Sequence, residues 1–317
     1  MGEKKSAVPE RCNSSMSIAW VLLALSSTLI SALVNILDSH FMSRRMPGWK
    51  AYVLICDLFA LPVSIVMLFI FPLPHGVGFA PVAAVCASAM ISSLSVVLVL
   101  EIMRKEDVAA VSPITSTAPV FVAILAMLFL GEDLALHQWL AISAVVTGAI
   151  VISFRWDTRG GAHLHIRPFL ILMAAAVLIA VSNVFNKYGL GYMSYWNSAT
   201  LIFLFSAILF IGICFRPKVL REIASLRDRT GTVGFTLANQ IAAMAATVLA
   251  YKAVEAGPVA LASTIFNSKP LFIFAFSALA ARIAPGFLIH EKSSLKLLAV
   301  RAGATMLVVA GLVIMLV

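Results

Sequence analysis

The chain has 317 residues, 62% of them hydrophobic and 12% charged, against about 25% charged in a soluble domain. No soluble core can absorb that much apolar sequence, so a soluble globular protein is excluded and a polytopic membrane protein is indicated. The net charge of +9 sits in the connecting segments, where Lys and Arg hold loops on the cytoplasmic side, and it calls for no nucleic acid.

An α-helix needs about 20 apolar residues to cross roughly 30 Å of hydrocarbon. Runs of that kind predict an all-α chain of ten transmembrane helices. A polar tail, 1–16, leads into five helices at 17–38, 50–72, 79–101, 108–130 and 134–154. A basic loop, 155–167, then separates these from five more at 168–189, 194–215, 231–253, 258–281 and 296–317. The tail is polar and the first run is long enough to span, so no cleavable signal peptide is expected. Pro47-Gly48, Pro72 with Pro74, Gly131, Gly160-Gly161, Gly257-Pro258 and Pro285-Gly286 mark the joints. The units 17–154 and 168–317 therefore read as two sets of five.

The opening half of the fourth helix is unusual. It carries Ser112, Pro113, Thr115, Ser116, Thr117 and Pro119. Prolines remove backbone donors, and in lipid an unsatisfied carbonyl costs several kcal/mol unless protein or water faces it. This half-helix is expected to face a protected cavity, with Ser112, Thr115 and Ser116 either lining it or bonding the freed carbonyls. The stretch recurs downstream: a shift of 151 brings Val108 onto Val259, Ser112 onto Ser263, Ile114 onto Ile265 and Pro119 onto Pro270. Such an internal repeat fixes the architecture before any finer reading.

Five helices per unit thread the second unit opposite to the first, the inverted 5+5 arrangement of many transporters. In the first and sixth helices, Asn35 and Asp38 match Asn183 and Asn186 at a shift of 148. Inversion puts these clusters at opposite faces, where they and Lys187 read either as gates of one pathway or as interfacial side chains reaching for water. Basic residues concentrate in the loops after helices 1, 3, 5, 7 and 9, whereas the opposite loops hold Lys187 and Lys252. The positive-inside rule then puts both termini outside, although Lys4, Lys5 and Arg11 of the tail dissent.

Pro119 of helix 4, the Leu130-Gly131-Glu132 that follows it and Gly148 late in helix 5 resemble the EamA repeat of the drug/metabolite transporter superfamily. The resemblance covers nearly the whole chain as two copies, the first fitting better. It implies a ten-helix carrier of small metabolites with a cavity between the halves, helices 5 and 10 at the periphery, and no cofactor. The second copy departs from the pattern. Aligning Gly148 with Gly311 needs a shift of 163, so the loop from Arg282 to Ser293 is longer and is expected to lie along the membrane surface. Glu132 has no clean counterpart there.

Lys269 lies well inside the ninth helix. An ammonium at the bilayer centre costs about 2.5–3.5 kcal/mol even on the lenient insertion scale, so it should face a cavity or a partner. It reads as an anchor for an anionic group on a substrate, with Asn267 beside it, or as half of an ion pair with Asp57. Asp57 lies amid apolar residues of helix 2. Burial disfavours a charged carboxylate, which suits a proton-coupling role, unless Lys269 holds it ionised. Asn239 and Gln240 in helix 8 are candidates for substrate binding or for bonds between helices. Glu132 and Asp133 precede helix 5 and are expected to favour its positive dipole end. Ala144 and Gly148 form a small-xxx-small face for close helix packing, within the chain or in a homodimer.

Enzyme chemistry finds no support: HExxH, GxSxG, GxGxxG and phosphate-loop motifs are lacking, and the histidines fall in loops or near helix ends. Cys12, Cys56, Cys86 and Cys214 form no CxxC pair, so neither zinc nor a disulfide framework is expected. The expected activity is secondary-active transport of a small polar, anionic metabolite (an amino acid, carboxylate or phosphate ester) by alternating access in the inner (plasma) membrane. The alternatives are a translocase of an anionic or polyisoprenoid-linked lipid head group and a non-transporting membrane subunit.

Overall fold

A computed structural model describes residues 16–44, 46, 48–103, 114–153, 166–226, 229–283 and 295–314. Among them helices are the only regular elements, and no strand occurs. The helices are α1 (Met16–Arg44), α2 (Trp49–Ile70), α3 (Phe79–Met103), α4 (Ala118–Leu130), α5 (Leu136–Ser153) and α6 (Ile166–Leu190). They continue with α7 (Tyr195–Cys214), α8 (Pro217–Ala224), α9 (Arg229–Ala256), α10 (Val259–Phe266), α11 (Lys269–Ile283) and α12 (Leu295–Ile314). Seven segments are long and apolar enough to cross a membrane, Val259–Phe276 across α10 and α11 being one of them. Three shorter apolar helices, Ala118–Leu130, Leu136–Val151 and Gly303–Ile314, accompany them.

The structure departs from the expected spans at three places. The ninth span is broken: α10 ends at Phe266, Asn267 and Ser268 turn, and α11 starts at Lys269. The fourth span breaks in the same way, at Ser116 and Thr117. Proline is the cause in both. A proline ring collides with the carbonyl four residues earlier and offers no N–H, and Pro119 and Pro270 are the second residues of the helices that follow the turns. The third departure is α8, a short helix between α7 and α9 where only a loop was expected. The part of the fourth span before Ile114, including Ser112, lies outside the described residues, as do most of the 155–167 and 282–293 loops.

The surface is apolar where a soluble protein would be polar. Phe69, Phe79 and Phe129 are 83%, 87% and 73% exposed, which suits a lipid-facing belt. The interior is small: Ala24, Ala123, Ala126, Ala180, Ala260 and Ala262 are fully buried in one cluster, letting backbones approach closely where no hydrophobic effect drives helices together. The largest interhelical contacts join α3 with α6, α5 with α12, α1 with α9 and α2 with α7. Exchanging each helix of the first set for its counterpart in the second turns α3–α6 into α9–α1 and leaves α5–α12 and α2–α7 as they are.

Hydrogen bonds follow the same exchange. Ser27 Oγ donates to Ala246 O at 2.7 Å, and Ser95 Oγ donates to Ala175 O at 2.9 Å. Shifting Ser27 by 148 gives Ala175, and shifting Ser95 by 151 gives Ala246. Gly148 and Gly311 sit in the α5–α12 seam, each against the other helix. The small-residue face of α5 is thus used within the chain.

Candidate functional site

The two broken spans meet. Asn267 Nδ2 donates to Ser116 O at 2.6 Å, so the turn in one span binds a carbonyl freed by the turn in the other, and the two residues are 151 apart. Each turn is tied internally in the same way. Thr117 Oγ1 bonds Ile114 O and Ser268 Oγ bonds Ile265 O, both at 2.7 Å. The backbone repeats the pattern, Thr117 N to Ile114 O at 3.1 Å and Ser268 N to Ile265 O at 3.0 Å. On the far side Ile265 O also receives Thr28 Oγ1 of α1 at 3.4 Å. In the fourth span the Thr117 hydroxyl thus satisfies a carbonyl at the break.

Lys269 is the first residue of α11, at the positive end of the helix dipole, where a cation is disfavoured. Its side chain is half-buried and takes no hydrogen bond or ion pair among the described residues. An ammonium so placed concentrates positive potential at the crossing of the two breaks, and this favours an anion. The carboxylate whose charge reaches it is Asp38. The expected pairing with Asp57 does not form: Asp57 shares neither a bond nor a charge interaction with Lys269. Asp57 is buried in α2, with Cys56 and Cys214 near its charge.

Asp38, at the end of the α1 span, anchors a cluster. Its Oδ1 accepts from both Tyr52 of α2 and Asn239 of α9, while the other carboxylate oxygen has no hydrogen bond among the described residues. Asn239 Nδ2 also reaches Val34 O at 3.5 Å. Asn239 Oδ1 is buried and has no donor among the described residues, an unusual state for an interior amide. The cluster therefore presents an ammonium, an open carboxylate oxygen and an unmatched acceptor. Tyr52 was not foreseen, since a tyrosine in the first turn of an apolar span reads as part of the interfacial aromatic belt.

At the related position in the second half the cluster is polar but uncharged. Asn186 accepts from Ser198, and Ser88 bonds Ser182 at 2.9 Å. Asn186 matches Asp38 at the shift of 148, and Ser88 matches Asn239 at 151. Asn35 is exposed and Asn183 half-buried; neither joins a cluster. Gln240 and Thr115 are half-buried, and Ser116 is buried with its carbonyl on Asn267.

The opposite end of the bundle is braced around Gly257-Pro258. Lys187 Nζ donates to Val254 O and Gly257 O at 2.5 and 2.7 Å, holding the end of α9. Glu132 accepts from Val259 N at 2.7 Å and Ala260 N at 3.3 Å, capping α10. Glu132 therefore serves the start of α10, where sequence suggested α5; the chain places its carboxylate on amides 127 and 128 residues away. Asn197 Nδ2 bonds Phe71 O at 2.8 Å and Pro72 O at 3.0 Å, joining two more helix ends. A Cβ at Gly257 would meet the Trp20 ring at 2.5 Å, so this end is closely packed. Glu132→Ala should lower stability by about 1–3 kcal/mol through two amides left without acceptors. Thermal melting checks this against Asp133→Ala, whose exposed carboxylate should change nothing measurable.

Among the described residues no group of three or more His, Cys, Asp or Glu is placed to hold a metal. The profile of the EamA-like transporter family matches residues 18–154. A search of curated proteins by sequence finds no match. A crystal structure of another protein, 16% identical, superposes with a TM-score of 0.67 over 96% of this chain and 98% of that one; at this identity the likeness establishes the fold. With the seven apolar spans, the family match makes this an integral, multi-pass membrane protein.

Proposed function

We propose, on the premise that residues 18–154 are an EamA-like transporter unit, that the whole chain is a ten-helix secondary carrier built as an inverted 5+5 repeat. The turns 151 residues apart, with their matching side-chain bonds, support the repeat, as does the exchange of α3–α6 for α9–α1. The substrate is a small polar metabolite with an anionic group, bound in the inner membrane near the crossing of the breaks. Broken helices at the interface of two repeats are where such carriers bind.

One observation carries this reading: Lys269, without an ion pair among the described residues, stands at the start of a half-helix, beside the Asn267–Ser116 bond that joins the two breaks. Its ammonium receives the anionic group of the substrate. Asp38 and Asn239 accept from whatever donors the substrate carries. The halves then rock about this point, with the Lys187 and Glu132 brace closing one end and the Asp38–Tyr52–Asn239 cluster serving the other. A thermal-shift screen of amino acids, carboxylates and phosphate esters, with cationic and neutral metabolites beside them, on the purified protein tests it. Stabilisation only by cations or neutral compounds would rule out the anionic class.

Asp57 is the candidate for proton coupling, a buried carboxyl with no hydrogen bond among the described residues. A proton entering such a site neutralises a charge the bilayer interior disfavours. In liposomes, Asp57→Asn should carry substrate without responding to an imposed pH gradient. An undiminished response would remove Asp57 from the coupling path.

A further inference from the structure

The short helix α8 divides cleanly into two faces. Val219 is buried, packed with Trp49, Ala51, Leu54 and Cys214, and Ile223 and Leu226 pack against Met46, Tyr52, Ile55 and Cys56. The opposite face carries Lys218, Arg221, Glu222 and Ser225, at the i, i+3, i+4, i+7 spacing that aligns side chains along one side of a helix. These residues border a shallow pocket of about 590 Å³. Lys218 and Arg221 are exposed, and neither has an ion-pair partner among the described residues. Phe215 just ahead of α8 and Leu220 within it are 57% and 38% exposed, so the segment also presents apolar side chains outward. The helix lies at the ends of α2 and α7, where an apolar span gives way to the membrane boundary.

A pocket lined by two cations, on a segment that also exposes apolar side chains where a span leaves the bilayer, has the chemistry of a lipid head-group site. We propose that α8 binds an anionic phospholipid of the phosphatidylglycerol type from the surrounding leaflet. Lys218 and Arg221 take its phosphate, Glu222 accepts from a head-group hydroxyl, and Phe215 and Leu220 lie against its acyl chains. The apolar face of α8 rests on Tyr52, a donor to Asp38. A lipid held there steadies the wall of the Asp38 cluster from outside.

The test is native mass spectrometry of the full chain released from nanodiscs of phosphatidylglycerol and phosphatidylcholine in equal parts. The parent chain should retain phosphatidylglycerol with a preference of about thirtyfold, since two basic side chains at a membrane surface are each worth roughly fivefold. Lys218→Gln with Arg221→Gln should cut the preference to within about threefold. Lys218→Arg with Arg221→Lys should keep it, and that pair controls for folding. Equal retention of both lipids by the parent chain, or a preference unchanged in the Gln variant, would overturn the site. Excess inorganic phosphate should leave the retained lipid in place; its displacement by phosphate alone would reassign the pocket to a soluble anion and overturn the lipid proposal.

Discussion

Lys269→Ala should leave the ligand-free protein at least as stable as the parent while weakening binding of the anionic substrate by thirtyfold or more. Truncating one partner of a buried, hydrogen-bonded charge pair costs about 2–5 kcal/mol, and roughly 1.4 kcal/mol is a factor of ten in affinity. The stability half of the expectation has a separate cause. Among the described residues the ammonium stands at a positive helix end without an ion pair, so its removal relieves an unfavourable charge in the bilayer interior. A structural ion pair would behave in the opposite way, since losing one partner strands the other. Thermal melting of both proteins, with and without each compound that stabilises the parent, separates the cases. A compound that stabilises the parent and Lys269→Ala equally would remove Lys269 from the site.

Gly148→Val should destabilise the fold by about 1–3 kcal/mol, the usual result of forcing extra carbon into a packed seam. A Cβ at Gly148 would lie 2.9 Å from Ala304 O and 3.2 Å from Val308 N of α12, and backbone atoms cannot swing aside as side-chain ends can. Gly212→Val is the matched control, because nothing lies within 4 Å of its Cβ position. Melting midpoints measured in one detergent give the comparison. Equal midpoints would mean that α5 and α12 do not meet as closely as described.

The spans, their lipid-facing character and the shift of 151 were legible in the sequence, because each rests on composition and local pattern. Membrane length demands long apolar runs, and a proline removes a backbone donor locally, although α2 runs unbroken through Pro62. Pro119 and Pro270 mark the two spans that do break, and the expected spans did not give those turns. That the two turns would join through Asn267 and Ser116 was not legible, because it depends on the crossing of spans 151 residues apart.

The partners of the charged groups depended still more on tertiary structure. Lys269 and Asp57 looked matched because each is a lone ionisable group in an apolar run, yet the charge that reaches Lys269 comes from Asp38. Glu132 sits beside α5 in sequence and caps α10 in space. Tyr52 and the surface helix α8 carried no warning, since a tyrosine near a span end and a short basic loop are ordinary features of membrane chains. Sequence alone determined which segments are long and apolar enough to span a membrane, because hydrocarbon thickness acts on consecutive residues. Which side chains meet was decided by helix packing, because a charge or an orphan amide is answered by whatever the neighbouring helix presents at that depth.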